Sequence, residues 1–390
     1  MFYEKQTKQQ QEKYKQLLKN FGSLSNLFSD SDSPYLPYRA HENIFCRSFE
    51  AENLARKDCT ADAKKEKVGL GLKTWVGSDN QKVAEFNKQK PDYTGLEGLD
   101  LVKKIAEFRN ERIRVTKNLY AIEDMFYHVV KRVPHAMQVL ECSLDEIDIP
   151  SIKLLSEGNI KTNPYFTDGK HTYHFLVSKS TLYMLFDDMQ LIDNFDVDIL
   201  DDPYTLLETM FSVPTTHPTS AILNLFEEEQ KDSLRLKLYS VGTEKQLHGA
   251  KGYPIEDTEK FAYVPLKSSI NQWNAGGRKR DEDELYIPYP AEAKAEKPDF
   301  FPKPDTIFTI VLPNGIELDA KVCQQGGKAI MSNPNKALGH WLLRDVFEVP
   351  PRTVLTYGDL QKYGIDSVIF KKLGDKRYSV NFYLDGEENQ

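Results

Sequence analysis

The chain is 390 residues long, with 51 Lys and Arg against 59 Asp and Glu and a formal net charge of −8. This balance excludes a uniformly basic nucleic-acid binder: any nucleic-acid surface has to be local, set against acidic surface elsewhere. An apolar share of 40% and a charged share of 28% are ordinary for globular protein, and the length suffices for two domains with a core each.

Residues 1–20 are rich in Lys and Gln, with Tyr3, Tyr14, Leu17 and Leu18 as the main apolar points. They predict a helical arm, either solvated or touching phosphates. Residues 22–41 are rich in Ser, Asp and Pro and predict a loop. Residues 42–87 predict helix, strand, turn, strand, turn, strand. Glu50 and Glu52 fall at the helix end, Asp62 before a Lys-rich turn, Lys73 in the run 68–75 and Glu85 in the strand-like run 82–87.

From 95 to 133 apolar residues recur at three and four (Leu99, Val102, Ile105, Ala106, Phe108), as on an amphipathic helix. Arg109, Arg112, Arg114 and Lys117 form a basic run there, read as a solvated face or as a phosphate contact. Residues 136–186 alternate in the β manner, with a hairpin around Asp168-Gly169. His171 and His174 are an odd number apart, which puts them on opposite strand faces and argues against a joint metal site. Residues 180–230 hold eleven acids and no Lys or Arg, so duplex phosphates do not run along them. Asp196 and Asp198 in that stretch read as a solvated acidic face or a cation site. Val213-Pro214 and His217-Pro218 mark a connector.

The second half opens with a strand near 233. Further strands fall at 285–289, 306–312 and 316–323, with a hairpin turn at Pro313-Asn314-Gly315, and two more close the chain. Short strands with turn signals imply a barrel or sandwich. Two polar, glycine-opened arms interrupt them. The first, 267–281, holds Trp273, a Gly pair, Gln272, Asn274, Arg278, Lys279 and Arg280. The second, 321–344, has no Asp or Glu but holds Gln324, Gln325, Lys328, Ser332, Asn333, Asn335, Lys336, His340 and Arg344. Amides and Lys or Arg read base edges, while Lys and backbone groups hold phosphates. By that chemistry the candidate DNA contacts are Gln272, Asn274, Arg278, Arg280, Gln324, Gln325, Lys328, Ser332, Asn333, Asn335 and Lys336. The bland alternative for each arm is a solvated loop.

Four cysteines (Cys46, Cys59, Cys142, Cys323) have no paired metal spacing, which fits thiols kept reduced in a cytoplasm. Neither a signal peptide nor a membrane-length apolar run is visible, so a cytoplasmic protein is expected. No P-loop or dinucleotide fingerprint is present.

The stretches SSINQWNAGGRKRDEDELYIPYPA, FFPKPDTIFTIVLPNGIELDAKVCQQGGKAIMSNPNKALGHWLLRDVF and TYGDLQKYGIDSVIF resemble the DNA-recognition domain of NgoFVII-type restriction endonucleases. That resemblance spans roughly residues 233–386 and implies a β-rich pseudobarrel related to the plant B-three fold. The His-x-Lys signature of phospholipase-D-type nucleases, the usual catalytic half in the NgoFVII group, is missing. Instead the order around Asp62 and Lys73 resembles the PD-(D/E)XK nuclease core, and FCRSFEAENLARKDCTADAKKEKVGLGLKTW is similar to the amino-terminal part of restriction enzymes with such a recognition domain.

Metal-dependent phosphodiester cleavage needs carboxylates for a hard cation and commonly a nearby Lys. The expected catalytic set is Glu52, Asp62, Lys73 and Glu85, with Mg²⁺ on Asp62 and Glu52. The motif position two before the Lys is Gly71, so a second carboxylate has to come from Glu52 or Glu85.

The whole reads as an α+β protein of two domains: a helical arm and loop at 1–40, an α/β PD-(D/E)XK-like nuclease domain at 41–215, a linker at 216–232 and a DNA-recognition domain at 233–390. The implied function is a type II restriction endonuclease acting on double-stranded DNA, a monomer or transient dimer there, paired with a DNA methyltransferase that guards the host. The alternative is a non-catalytic, sequence-specific DNA-binding regulator.

Overall fold

The computed structural model describes residues 1–55, 59–187, 189–212, 233–255 and 258–384. The expected linker 216–232, with His217-Pro218 and the acids at 227–229, lies outside them, as does Val213-Pro214. The protein is mixed α+β and divides into two units, residues 1–117 with 122–217 and residues 118–121 with 218–390. Among the described residues no helix is long and apolar enough to cross a membrane.

The first unit begins with α1 (Lys8–Ser23) and α2 (Tyr38–Phe49). Thr7 caps α1 in a capping box with Gln10, satisfying two amides that would otherwise lack partners. The strands β1 (Glu52–Asn53), β2 (Ala63–Lys65), β3 (Val68–Val76) and β4 (Asn80–Glu85) follow, then α3 (Lys90–Tyr93) and α4 (Gly98–Tyr120). Next come β5 (Asp124–Val133), β6 (Ala136–Ser143), β7 (Lys153–Asn159), β8 (Asn163–Thr167), β9 (Thr172–Leu176), β10 (Thr181–Leu185), β11 (Gln190–Asp196) and α5 (Pro203–Ser212).

One sheet has the order β1-β2-β3-β5-β6-β11, in which β3 and β5 are parallel and joined through α4. The other has the order β4-β10-β9-β8-β7. Tyr14 and Leu18 of α1 pack with Phe45 and Phe49 of α2 on Leu70, Leu72, Val130 and Val139. The first twenty residues are therefore part of this core and not a solvated arm. Helix α4 is shorter than the pattern suggested: residues 124–133 form a strand, because DMFYHVVKRV is aromatic and β-branched and fills the middle of the sheet.

A buried polar chain runs through the α1–α2 side of this sheet. The Tyr14 hydroxyl lies 2.8 Å from His41 Nε2 and 2.9 Å from His128 Nε2, and His128 Nδ1 lies 2.8 Å from Glu141 Oε1. Glu141 also accepts the Tyr3 amide at 3.1 Å, so this interior carboxylate is fully engaged.

The second unit contains β12 (Ser233–Lys237), β13 (Ser240–Thr243), β14 (Tyr253–Pro254), β15 (Lys260–Tyr263), β16 (Ile287–Pro288) and α6 (Ala291–Glu296). After these come β17 (Ile307–Val311), β18 (Glu317–Cys323), β19 (Ala329–Ser332), α7 (Ala337–His340, continued by a wider turn to Val346), α8 (Tyr357–Tyr363), β20 (Ser367–Gly374) and β21 (Arg377–Tyr383). Its main sheet has the order β12-β20-β21-β17-β18-β19-β16 and curls into a half-barrel. Phe300, Phe301, Phe308, Phe370 and Tyr378 fill the hollow, all buried, and the Tyr378 hydroxyl donates to Phe300 O at 2.8 Å. Gly315, at φ +88°, makes the β17–β18 turn where only glycine is unstrained.

Candidate functional site

In the first unit, Asp62 stands just before β2. Its amide donates to Leu70 O at 2.7 Å, and its carboxylate accepts the Leu72 amide at 2.7 Å. Lys73 is on β3, so the two predicted residues belong to one hairpin, Asp62 at the entry to β2 and Lys73 on its partner strand. Tyr127 pairs with Gly71 across β3 and β5, and Arg109 of α4 donates to the Tyr127 hydroxyl at 2.7 Å. Lys73, two residues beyond Gly71, faces the same side of the sheet.

Burial raises the Asp62 carboxyl above the ordinary carboxylate range, opposed by Lys73, by the Leu72 amide and by Arg39. Burial likewise lowers the Lys73 ammonium; Asp62 opposes this, and Arg109 and Lys82 reinforce it. Among the described residues the Lys73 ammonium has no hydrogen-bond or ion-pair partner. Asp62 thus has Lys73 and Arg39 as counter-charges, and Lys73 has Arg109 and Lys82 as like charges, while Arg39 and Lys82 are also paired with Glu42 and Glu85.

The other predicted carboxylates are placed differently. Glu52 is exposed on β1, opposite Lys64. Glu85 lies on β4, in the second sheet, paired with Lys82 at 3.1 Å. Gly71 is tightly packed: a Cβ there would lie 3.0 Å from both Leu144 Cδ1 and Tyr127 Cδ1, so these side chains would have to give by a few tenths of an ångström. The sequence reading passed over Glu42. It is 6% exposed on α2, bonded to Arg39 at 3.0 Å. Burial, then Glu42, Asp62 and Glu52, push the Cys46 thiol up to about 12. The available signal was an acid in register with Phe45 and Phe49 on a helix face that is otherwise core.

Among the described residues no group of three or more His, Cys, Asp and Glu is arranged to hold a metal ion. Mg²⁺ keeps several waters and takes one or two carboxylates plus substrate phosphates, so Asp62 with Glu42 or Glu52 still fits that donor chemistry.

The arms of the second unit divide by role. Arg280 is 13% exposed; it donates to the carbonyls of Ala275, Gly276 and Arg278 and faces Glu284 at 3.6 Å. Arg278 also bonds Glu284, which is buried, yet keeps half its surface exposed. Gln272 is 9% exposed, and Asn274 donates to Leu266 O at 3.0 Å. Ser332 is fully buried, donating to Pro334 O at 2.9 Å and accepting the Leu338 amide at 3.0 Å. Gln272, Arg280 and Ser332 therefore hold loops together and present little to a partner.

Gln324, Gln325, Lys328, Asn333, Asn335 and Lys336 are exposed. They fall into two sets, because β19 separates them. Gln324, Gln325 and Lys328 lie on the β18–β19 turn; Asn333, Asn335 and Lys336 lie beyond the far end of β19, about 10 Å of strand away. Only the second set meets the first arm: Lys336 lies 3.6 Å from Asp281, while His340 and Arg344 each bond Asp283 at 2.7 Å.

No curated protein matches this chain. Residues 245–374, one third of it, match the family model of the NgoFVII C-terminal B3-like DNA-binding domain, a restriction-enzyme domain, and this match points to sequence-specific DNA binding within a restriction system.

Proposed function

We propose that this protein is a type II restriction endonuclease that reads duplex DNA with its second unit and hydrolyses phosphodiester bonds with its first. The match of residues 245–374 to a restriction-enzyme recognition domain carries this reading. It is supported by Asp62 and Lys73 in one hairpin ahead of α4 and a parallel β5, the order of the PD-(D/E)XK core. Mg²⁺ on Asp62 and a second acid, Glu42 or Glu52, would stabilise phosphorane charge and generate hydroxide.

The chain's own residues do the rest. Arg109 and Lys82 draw the diester toward Lys73. The desolvated Lys73 ammonium, with no partner in the described protein, donates to a non-bridging oxygen or orients the attacking water. Tyr127 holds the Arg109 fork in place. On the recognition side Asn333, Asn335 and Arg278 are exposed and suit base edges, while Lys328 and Lys336 suit phosphates. A host methyltransferase would protect the same site.

A second reading, a DNA-binding regulator without catalysis, is favoured by one observation: the motif's second carboxylate position is Gly71, closely packed against Tyr127 and Leu144. Incubation with plasmid and Mg²⁺ decides between them. Discrete fragments from the wild type, lost by at least a hundredfold in Asp62→Asn, support the enzyme. Intact plasmid together with salt-sensitive duplex binding supports the regulator.

A further inference from the structure

The carboxylate of Asp283 joins two separate loops of the second unit. It is 8% exposed, and its two oxygens accept from His340 Nδ1 at 2.7 Å and Arg344 Nε at 2.7 Å. Arg344 continues the brace to Glu282 O at 3.0 Å, Val349 O at 2.8 Å and Pro350 O at 3.0 Å. The approach is so close that a Cβ on Gly339 would lie 1.7 Å from Asp283 O; only glycine lets α7 settle on this loop.

The imidazole of His340 is nonetheless 60% exposed. With Nδ1–H given to Asp283, the tautomer is set and Nε2 faces outward. The charged groups around the ring are Asp281, Glu282 and Asp283 on the first arm and Lys336, Arg344 and Asp345 on its own segment. Asp345 Oδ1 is 3.9 Å from Nε2, beyond hydrogen-bond distance. Lys336 is 60% exposed a turn away.

Resting on the reading that this unit binds duplex DNA, we propose that His340 is a phosphate-contacting residue of that surface, oriented by Asp283 and donating only when protonated. A neutral ring with Nδ1–H on Asp283 turns a lone pair on Nε2 toward the phosphate. A protonated ring turns a charged N–H toward it, with Asp283 as counter-ion. The affinity for duplex DNA therefore falls as pH rises through the range where imidazoles lose their proton.

The experiment uses the full chain, without divalent metal, and a random-sequence duplex pool longer than two helical turns. Binding is followed by fluorescence anisotropy against salt at about pH 6 and about pH 8, which bracket imidazole titration. For the wild type the affinity is expected to drop about tenfold between them, as for one charge-assisted bond. The slope of log affinity against log salt is expected to lose about 0.9, one phosphate contact. His340→Gln should bind at both pH values as the wild type does at the higher one. Asp283→Asn should weaken duplex binding by loosening the ring; if that variant melts early, His340→Gln remains decisive because its side chain is mostly exposed. Identical pH and salt dependence in wild type and His340→Gln overturns the proposal and leaves DNA binding standing. Absence of duplex binding by the wild type at either pH overturns the DNA reading itself.

Discussion

The two units hold their basic side chains in opposite ways. In the first, Lys73 is drawn into a desolvated site beside one acid and two further cations, and its ammonium has no hydrogen-bond partner among the described residues. In the second, Arg280 and Arg344 sit in stretches that look open in sequence, yet Arg344 is tied to Asp283 and three carbonyls, and Arg280 gives Nη1 to three carbonyls with Glu284 3.6 Å away. A guanidinium held by the protein's own acceptors offers a phosphate less than a desolvated and unbonded ammonium does. The contrast separates cations that build the molecule from cations that act on a ligand, and it crosses the boundary between strand and loop in an unexpected direction.

The comparison breaks most visibly if Arg278 and Arg280 are replaced together by Ala. Buried Glu284 then loses both of its described cations, and the second unit should lose about 3–5 kcal/mol, read as a fall in denaturant midpoint. Wild-type stability in the double variant would leave Arg280 free for a ligand, as the exposed part of Arg278 is proposed to be.

Next in size is Gly71→Glu, which restores the acid that the nuclease motif expects. The new side chain meets Tyr127 and Leu144, and the first unit should lose about 1–3 kcal/mol without any gain in cleavage. Thermal melts and plasmid digestion check both halves; faster cleavage would show that the motif position is usable.

The smallest effect sharpens the comparison from the other side. Lys328 is exposed and, among the described residues, has no ion pair. Lys328→Ala should leave stability unchanged while lowering the salt slope of duplex binding by about 0.9. An unchanged slope would remove the β18–β19 turn from the DNA surface.

Much of the second unit was legible. Its strands at 306–312 and 316–323 and the turn at Pro313-Asn314-Gly315 follow local chemistry: β-branched alternation and one position that needs positive φ. In the first unit Asp62 and Lys73 were found because hairpin strands put near-neighbours in sequence side by side. Glu42 was not singled out, and Arg109 was read only as one of a basic run, since each comes near Asp62 and Lys73 only when a helix is laid on the sheet. Helix α4 was drawn too long for a related reason: apolar residues at three and four fit a helix, and a central strand that is apolar on both faces offers the same residues.

Local sequence thus determined many of the helices, strands and turns, which stretch is acidic, and that Asp62 and Lys73 share a hairpin, because propensity, alternation and net charge act over a few residues. Tertiary structure alone decided which polar groups remain available. Arg280 became a staple and Ser332 a buried cap, Gly71 was closely packed against Tyr127 and Leu144, and His340 kept an open face on an anchored ring. Burial and hydrogen bonding are settled by partners brought from elsewhere in the chain: Tyr127 lies 56 residues from Gly71, and Asp283 lies 57 from His340.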